Sequence, residues 1–242
     1  MLPTEVLPKV EKPKEGFYST KVLGSDAFPV RVFLPHGYES RYPYPLVVML
    51  HGKGGDEEKI IKLAPKISRR NFICIGLRGT KSLTNQEFQQ GFSWGMGHDQ
   101  DACLEEYIFK AVEMARRQFH IHSERIFLTG FCEGASQAYR IGLSHPDKFA
   151  GVASLNGLIP QGCRILSKLN ELRGKSLFHA HGLVNSIATL GQAQRDQKLL
   201  VNAGMMVTSR TYPTNHRIHE DMLRDLNAWI VDWIVRDDEM LG

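Results

Sequence analysis

Ile126-Phe127-Leu128-Thr129-Gly130-Phe131-Cys132-Glu133-Gly134-Ala135 carries an apolar, strand-like run into a G-x-C-x-G turn, and a helical pattern follows. The spacing matches the sharp strand-to-helix reversal that lifts one side chain above the edge of a sheet. Such a strained turn needs small or permissive neighbours, and Gly130, Gly134 and Ala135 meet that demand. The raised position is Cys132. At a helix N-terminus, free amides and the helix dipole favour its thiolate. The competing reading is an inert core cysteine, because free cysteines are commonly buried.

Outward from this turn the chain alternates strand and helix. Phe17 to Val22 and Val30 to Leu34, joined across a polar turn with Gly24, Ser25 and Asp26, read as an antiparallel pair. Pro45 to Leu50 is a continuous apolar run ending in His51-Gly52, the pattern of a buried central strand. Further strands are expected at Phe72 to Leu77, Ile126 to Thr129, Val152 to Leu155, Ser176 to His179 and Met206 to Thr211. Helical patterns fall near 57–68, 99–118, 133–144, 189–203 and 217–236. This order implies an α/β fold with a mostly parallel sheet covered on both faces. With 242 residues, one domain over 16–242 suffices, preceded by a flexible arm over 1–15. The short interval between Gly157 and Lys175 leaves no room for a large cap domain. Two long loops leave strand ends: 78–97, with Phe88, Phe92, Trp94 and Met96, and 156–163. Ligands in open α/β sheets bind at such ends.

Composition excludes several classes of function. Hydrophobic residues make up 42% and charged residues 23%, ordinary for a soluble globular chain. The net charge of +4 comes from scattered basic residues rather than a concentrated patch, which argues against a nucleic-acid partner. No stretch approaches the ~18 apolar residues of a membrane span. The N-terminus has no signal-peptide core. Cys74, Cys103, Cys132 and Cys163 form no C-x-x-C pair, so a reducing, cytoplasmic setting is expected. His179 and His181 alternate on one strand face but lack a third ligand in a metal motif. No metal or cofactor is implied.

A nucleophile needs a base. Tyr212-Pro213-Thr214-Asn215-His216 follows a strand and precedes the last helix, which places His216 well for that role. His219 is its rival, and a helix-capping or surface histidine is the plain alternative. The slot where a third, acidic member is expected, after the strand beginning at Ser176, holds Asn185. Asn156, after the preceding strand, also lacks a carboxylate, and Asp196 lies inside a helix with no evident partner.

The ordered set Leu46 to Asp56 (LVVMLHGKGGD), the turn at Cys132 with Ser144 to Ala153, Leu155-Asn-Gly-Leu-Ile-Pro160, His181-Gly-x-x-Asn185 and Tyr212-Pro-x-x-His216 spans nearly the whole chain. Together these segments resemble the phospholipase/carboxylesterase and dienelactone-hydrolase branch of the α/β-hydrolases. The resemblance implies an α/β-hydrolase fold and cleavage of a small-molecule carboxylic ester or thioester. It implies Cys132 as nucleophile, His216 as base and Asn185 at the acid position. It also implies an oxyanion hole from the backbone N–H groups of Lys53 and Glu133. The family usually carries serine and aspartate where this chain has Cys132 and Asn185.

The two departures are chemically consistent. A thiol is more nucleophilic than a hydroxyl and can rest as thiolate beside a protonated histidine. The histidine then needs orientation more than charge compensation, and an asparagine carbonyl can accept from its ring N–H. The Glu133 side chain is expected to point outward. Trp94 is the candidate wall of an acyl pocket, with simple packing the equal alternative. A rival function is a catalytically impaired protein that keeps the fold as a binding module. A peptidase-like or acyltransferase variant is a third.

Overall fold

The computed structural model describes residues 14–22, 28–84, 90–95, 101–162 and 165–241. Most of the expected N-terminal arm, the turn with Gly24, Ser25 and Asp26, Phe88, Met96 and Cys163 lie outside these residues. The first strands are β1 (Gly16–Val22), β2 (Phe28–Leu34) and β3 (Tyr44–Leu50), followed by short helices α1 (Glu57–Ile61) and α2 (Ala64–Ile67). Then come β4 (Ile73–Leu77), β5 (Lys81–Thr84), β6 (Gln90–Ser93), α3 (Asp101–Gln118), β7 (Ile121–Phe131), α4 (Glu133–Ser144) and β8 (Gly151–Leu155). The remainder is α5 (Leu169–Leu172), β9 (Ser176–Gly182), α6 (Leu190–Asn202), β10 (Met206–Tyr212) and α7 (Glu220–Leu241).

Eight of the described strands form one sheet in the order β1-β2-β4-β3-β7-β8-β9-β10. Pairings β1/β2 and β2/β4 are antiparallel and the rest are parallel, so β2 alone runs against the others. Every residue of β3 is buried, as its unbroken apolar run requires. Alternate side chains divide between two cores. Leu46, Val48 and Leu50 join the face covered by α3, α4 and α6, while Val47 and Met49 join the face covered by α1, α2 and α7. No large cap domain interrupts the described part of the fold, which is an α/β-hydrolase architecture.

After β3 the chain moves to β4 on one side and later returns as β7 on the other. The carboxyl ends of β3 and β7 therefore flank the topological switch point, where such sheets bind ligands.

Three departures from the periodicity have local causes. The single helix expected over 57–68 is two, because Pro65 enters the first turn of α2, lacks an N–H and collides with the carbonyl one turn back. Strand β7 starts at Ile121 rather than Ile126, because Tyr44 pairs with Ile121 before an irregularity in the β3 register. The intervening His-Ser-Glu-Arg is polar and partly exposed, which hides the strand in sequence. The loop 78–97 contains the β5/β6 hairpin, whose first strand is mostly exposed and has no apolar alternation to announce it.

Candidate active site

The turn after β7 is built by close backbone approach. Cys132 has φ 55° and ψ −119°, a conformation that costs a non-glycine residue roughly 1–3 kcal/mol. It is held there because Cys132 N–H donates to the Leu155 carbonyl (3.0 Å), while its own carbonyl accepts from Ala135 and Ser136 N–H (both 3.1 Å). A Cβ on Gly134 would lie 2.4 Å from the Leu50 carbonyl oxygen, so the helix start sits directly against the end of β3.

The loop after β3 supplies the second wall. The Nε2 atom of buried His51 accepts from Gly79 N–H (2.8 Å), so Nδ1 carries the proton and donates to the Gly52 carbonyl (2.8 Å). Burial lowers the His51 pKa, which keeps the ring neutral in this arrangement. The β5/β6 hairpin pins the same loop: Gly54 N–H donates to Phe92 (2.8 Å) and Phe92 N–H donates to Gly55 (2.9 Å). Arg78 forms a bidentate pair with Glu57, which is only 2% exposed, and its guanidinium lies 4.5 Å over the Phe92 ring. So fixed, the loop and the helix start turn the backbone N–H groups of Glu133 and Lys53 toward the Cys132 sulfur.

Two sequence expectations change here. The Glu133 side chain does not point outward: it accepts from Ser93 Oγ (2.7 Å) and Trp94 N–H (3.3 Å), anchoring the segment after β6. Trp94 is 1% exposed, donates from Nε1 to the His51 carbonyl (2.7 Å) and packs on the His51 ring at 4.9 Å. Its contacts are those of packing, and it supports the loop rather than offering a face to an acyl group.

His216 follows β10, with its ring 5.3 Å from that of Phe131, the neighbour of Cys132. His216 Nδ1 faces Asn185 Oδ1 at 3.1 Å, and its buried Nε2 has no hydrogen-bond partner among the described residues. The same Asn185 oxygen accepts from Ile187 N–H (3.1 Å) and Ala188 N–H (3.0 Å). The rival His219 instead accepts at Nδ1 from Asp221 N–H (3.3 Å) at the start of α7. Asp196 does have a partner, contrary to the reading of its position: it accepts from Ile159 N–H (2.8 Å) and steadies the loop after β8. The rings of His179 and His181 lie 5.7 Å apart, tilted at 32°, and His181 Nε2 donates to the Ala188 carbonyl (2.7 Å). No group of three or more metal-binding side chains occurs among the described residues.

Asn156 was legible only as an acid slot without an acid. Its second positive φ (57°) and its complete burial mark it as part of the site's frame. A single asparagine before Gly157 at a strand end gives no sequence signal for that role.

The electrostatics correct the expected resting state. Burial pushes the Cys132 thiol above its ordinary range, against the lowering effect of the Glu133 and Lys53 amides; the Glu133 charge adds to the rise. Burial, with a smaller contribution from His181, lowers His216. Both shifts favour neutral thiol beside neutral imidazole over a thiolate–imidazolium pair. Alkylation of Cys132 by iodoacetamide should therefore keep accelerating as pH rises past about 8.5, the free-cysteine value. A rate already level between pH 6 and 8 would show a resting thiolate and contradict this assignment.

No helix among the described residues is long and apolar enough to cross a membrane. A family model described as Phospholipase/Carboxylesterase matches residues 39–234. Acyl-protein thioesterase 1 of Mycosarcoma maydis is 32% identical over 117 residues, covering 46% of this chain and 48% of that protein. A putative esterase, NocK, of Nocardia uniformis subsp. tsuyamanensis is 27% identical over 116 residues, covering 48% of this chain and 33% of that protein. The matched segment thus spans half or less of either relative. In fold, the chain is similar to a carboxylesterase from Mesorhizobium loti, with a TM-score of 0.71 at 22% identity over 88% of this chain and 98% of that one. With the strand order, the turn at Cys132 and the match over 39–234, the chain belongs to the phospholipase/carboxylesterase family of α/β-hydrolases.

Proposed function

We propose that this protein hydrolyses a carboxylic ester or thioester through a covalent acyl-cysteine intermediate on Cys132, with His216 as base and Asn185 as its orienting partner. The observation that carries the reading is the contact of His216 Nδ1 with Asn185 Oδ1, which leaves Nε2 unpaired beside the Cys132 turn. The names of the two relatives, an esterase and an acyl-protein thioesterase, support the substrate class. So does the apolar rim near Asn185, where Val184 and Ile187 are each 70% exposed.

The neutral starting pair defines the steps. As the Cys132 sulfur attacks the carbonyl carbon, the thiol proton passes to His216 Nε2. The carbonyl oxygen takes up negative charge, and the N–H groups of Lys53 and Glu133 stabilise it. On collapse the imidazolium returns its proton to the departing alcohol or thiol. Water then attacks the acyl-cysteine while His216 accepts its proton, which goes to the leaving thiolate as the carboxylic acid is released. No step calls for a cofactor. Because the described cysteines are free thiols, the chemistry fits a reducing cytoplasm.

Incubation with a small activated ester, followed by intact mass and by product formation, tests the proposal. An acyl adduct that forms and turns over supports it, and absence of both defeats it. The rival reading, a binding module with impaired catalysis, draws on the raised thiol and on the neutral residue at the acid position. Asn185→Asp separates the two. For a site built around orientation, kcat/KM should stay within about tenfold of wild type. A gain of several hundredfold, a substantial part of the ~10⁴-fold that the acid contributes in a serine triad, would show that the natural site is crippled.

A further inference from the structure

We propose that Asn156 is a positioning residue: through the Arg217 carbonyl and the Asn185 amide it holds the turn that carries His216 against Asn185, which fixes the His216 tautomer, and it suits the acid position to a neutral amide. This inference rests on the reading of His216 as the base.

Hydrogen-bond polarity fixes each amide in turn, starting from backbone groups whose roles cannot reverse. Asn156 Nδ2 lies 2.8 Å from the Arg217 carbonyl, which can only accept. Asn156 Oδ1 lies 2.8 Å from Gly182 N–H, which can only donate. The Asn156 amide is thereby locked in one orientation, with its oxygen toward Asn185. At 3.2 Å the atom of Asn185 facing that oxygen must be the donor, Nδ2. Asn185 Oδ1 then faces Ile187 and Ala188 N–H and His216 Nδ1. An imidazole nitrogen facing this carbonyl oxygen must carry the proton, so neutral His216 is the Nδ1–H tautomer with its Nε2 lone pair available.

Asn156 therefore ties three strand ends together. It sits after β8, grips the end of β9 through Gly182 and the turn after β10 through Arg217. Asparagine is suited to the post on two counts. It tolerates the positive φ of 57° better than most residues, and its side chain offers both a donor and an acceptor. The arrangement also bears on residue 185. An aspartate there would bring a carboxylate oxygen against Asn156 Oδ1, an acceptor whose two lone pairs are already directed at Gly182 and residue 185. Two acceptors at that separation repel, and Asn156 cannot flip to help without losing both backbone bonds.

Two measurements independent of substrate test this. In ¹⁵N-histidine spectra, wild-type His216 should appear as the Nδ1–H tautomer, and Asn156→Ala should convert it to a mixture of tautomers. In a thermal-stability cycle, Asn185→Asp should lower Tm in the wild-type background, and by clearly less in the Asn156→Ala background, because the opposing acceptor is gone. Activity should follow: Asn156→Ala should reduce kcat by between about tenfold and 10⁴-fold, the upper figure being the cost of a wrong tautomer in a serine triad. The proposal is overturned if wild-type neutral His216 is the Nε2–H form, if Asn156→Ala leaves the tautomer unchanged, or if the cycle shows no coupling. Should Asn156→Ala not fold, the wild-type spectrum and the Tm of Asn185→Asp still decide. If the wild type hydrolyses no ester yet the tautomer shifts in Asn156→Ala, the proposed function falls and the positioning role stands. The converse result reverses that outcome.

Discussion

Cys132→Ala should abolish both the acyl adduct and its turnover, lowering kcat by on the order of 10⁶-fold, as nucleophile removal does in a serine protease. The size of the loss follows from the division of labour in the site. The Lys53 and Glu133 amides remain, so in the proposed mechanism electrostatic stabilisation of a developing oxyanion survives. What disappears is the bond that splits hydrolysis into two easier steps, and with it the purpose of an imidazole held with Nε2 free. Residual hydrolysis should therefore be slow, free of any acyl adduct and indifferent to iodoacetamide. Equal, slow hydrolysis by wild type and Cys132→Ala would end the enzyme reading. The variant should keep the wild-type melting temperature, since relief of a positive φ is not obtained by alanine and little packing volume is lost.

Gly130→Ala should cost at least about 3 kcal/mol of stability, the upper part of the range for overpacking, and lower Tm by roughly 6–12 °C. A Cβ there would stand 2.3 Å from the carbonyl carbon and oxygen of Gly134 and 2.6 Å from the nitrogen of Ala135, all backbone atoms. Helix α4 cannot retreat, because Gly134 already abuts the Leu50 carbonyl and Cys132 is bonded on both sides. Strand β7 cannot retreat either, held between β3 and β8 through Leu50 and Ser154. Gly191→Ala is the control: it lies exposed in α6, where the nearest atom to a new Cβ is Arg195 Nη1 at 3.9 Å. Alanine should there be neutral or stabilising by up to about 1 kcal/mol. Circular-dichroism melts of the two variants test the pair. A Gly130→Ala protein melting within about 2 °C of wild type would mean that the turn is looser than its backbone contacts require.

The site residues differed in how readily sequence revealed them. Cys132 and His216 were legible because each stands at a junction of two periodicities, strand before and helix after, and a polar residue at such a junction has a definite place above the sheet. Asn185 was legible by position alone. The direction of Glu133 and the burial of Trp94 were not, because both depend on the β5/β6 hairpin, whose short polar strands have no pattern of their own. Asp196 looked idle in sequence because its partner, the Ile159 amide, is 37 residues away along the chain. The expected thiolate is disfavoured for a similar reason: a helix start favours it locally, but burial, which no local pattern reports, pushes the thiol up.

By itself, then, the sequence determined the alternation of strands and helices, the central strand, the turn at Cys132 and the placing of Asn185 and His216 after later strands. These rest on local patterning and on glycines that admit one backbone path. Only the tertiary structure decided which groups face one another: Asn156 between three strand ends, the Asn185 oxygen against His216 Nδ1, and the burial that raises the Cys132 thiol and lowers His216. Hydrogen-bond polarity and desolvation are properties of contacts between residues far apart in the chain, and they arise only when the sheet closes those distances.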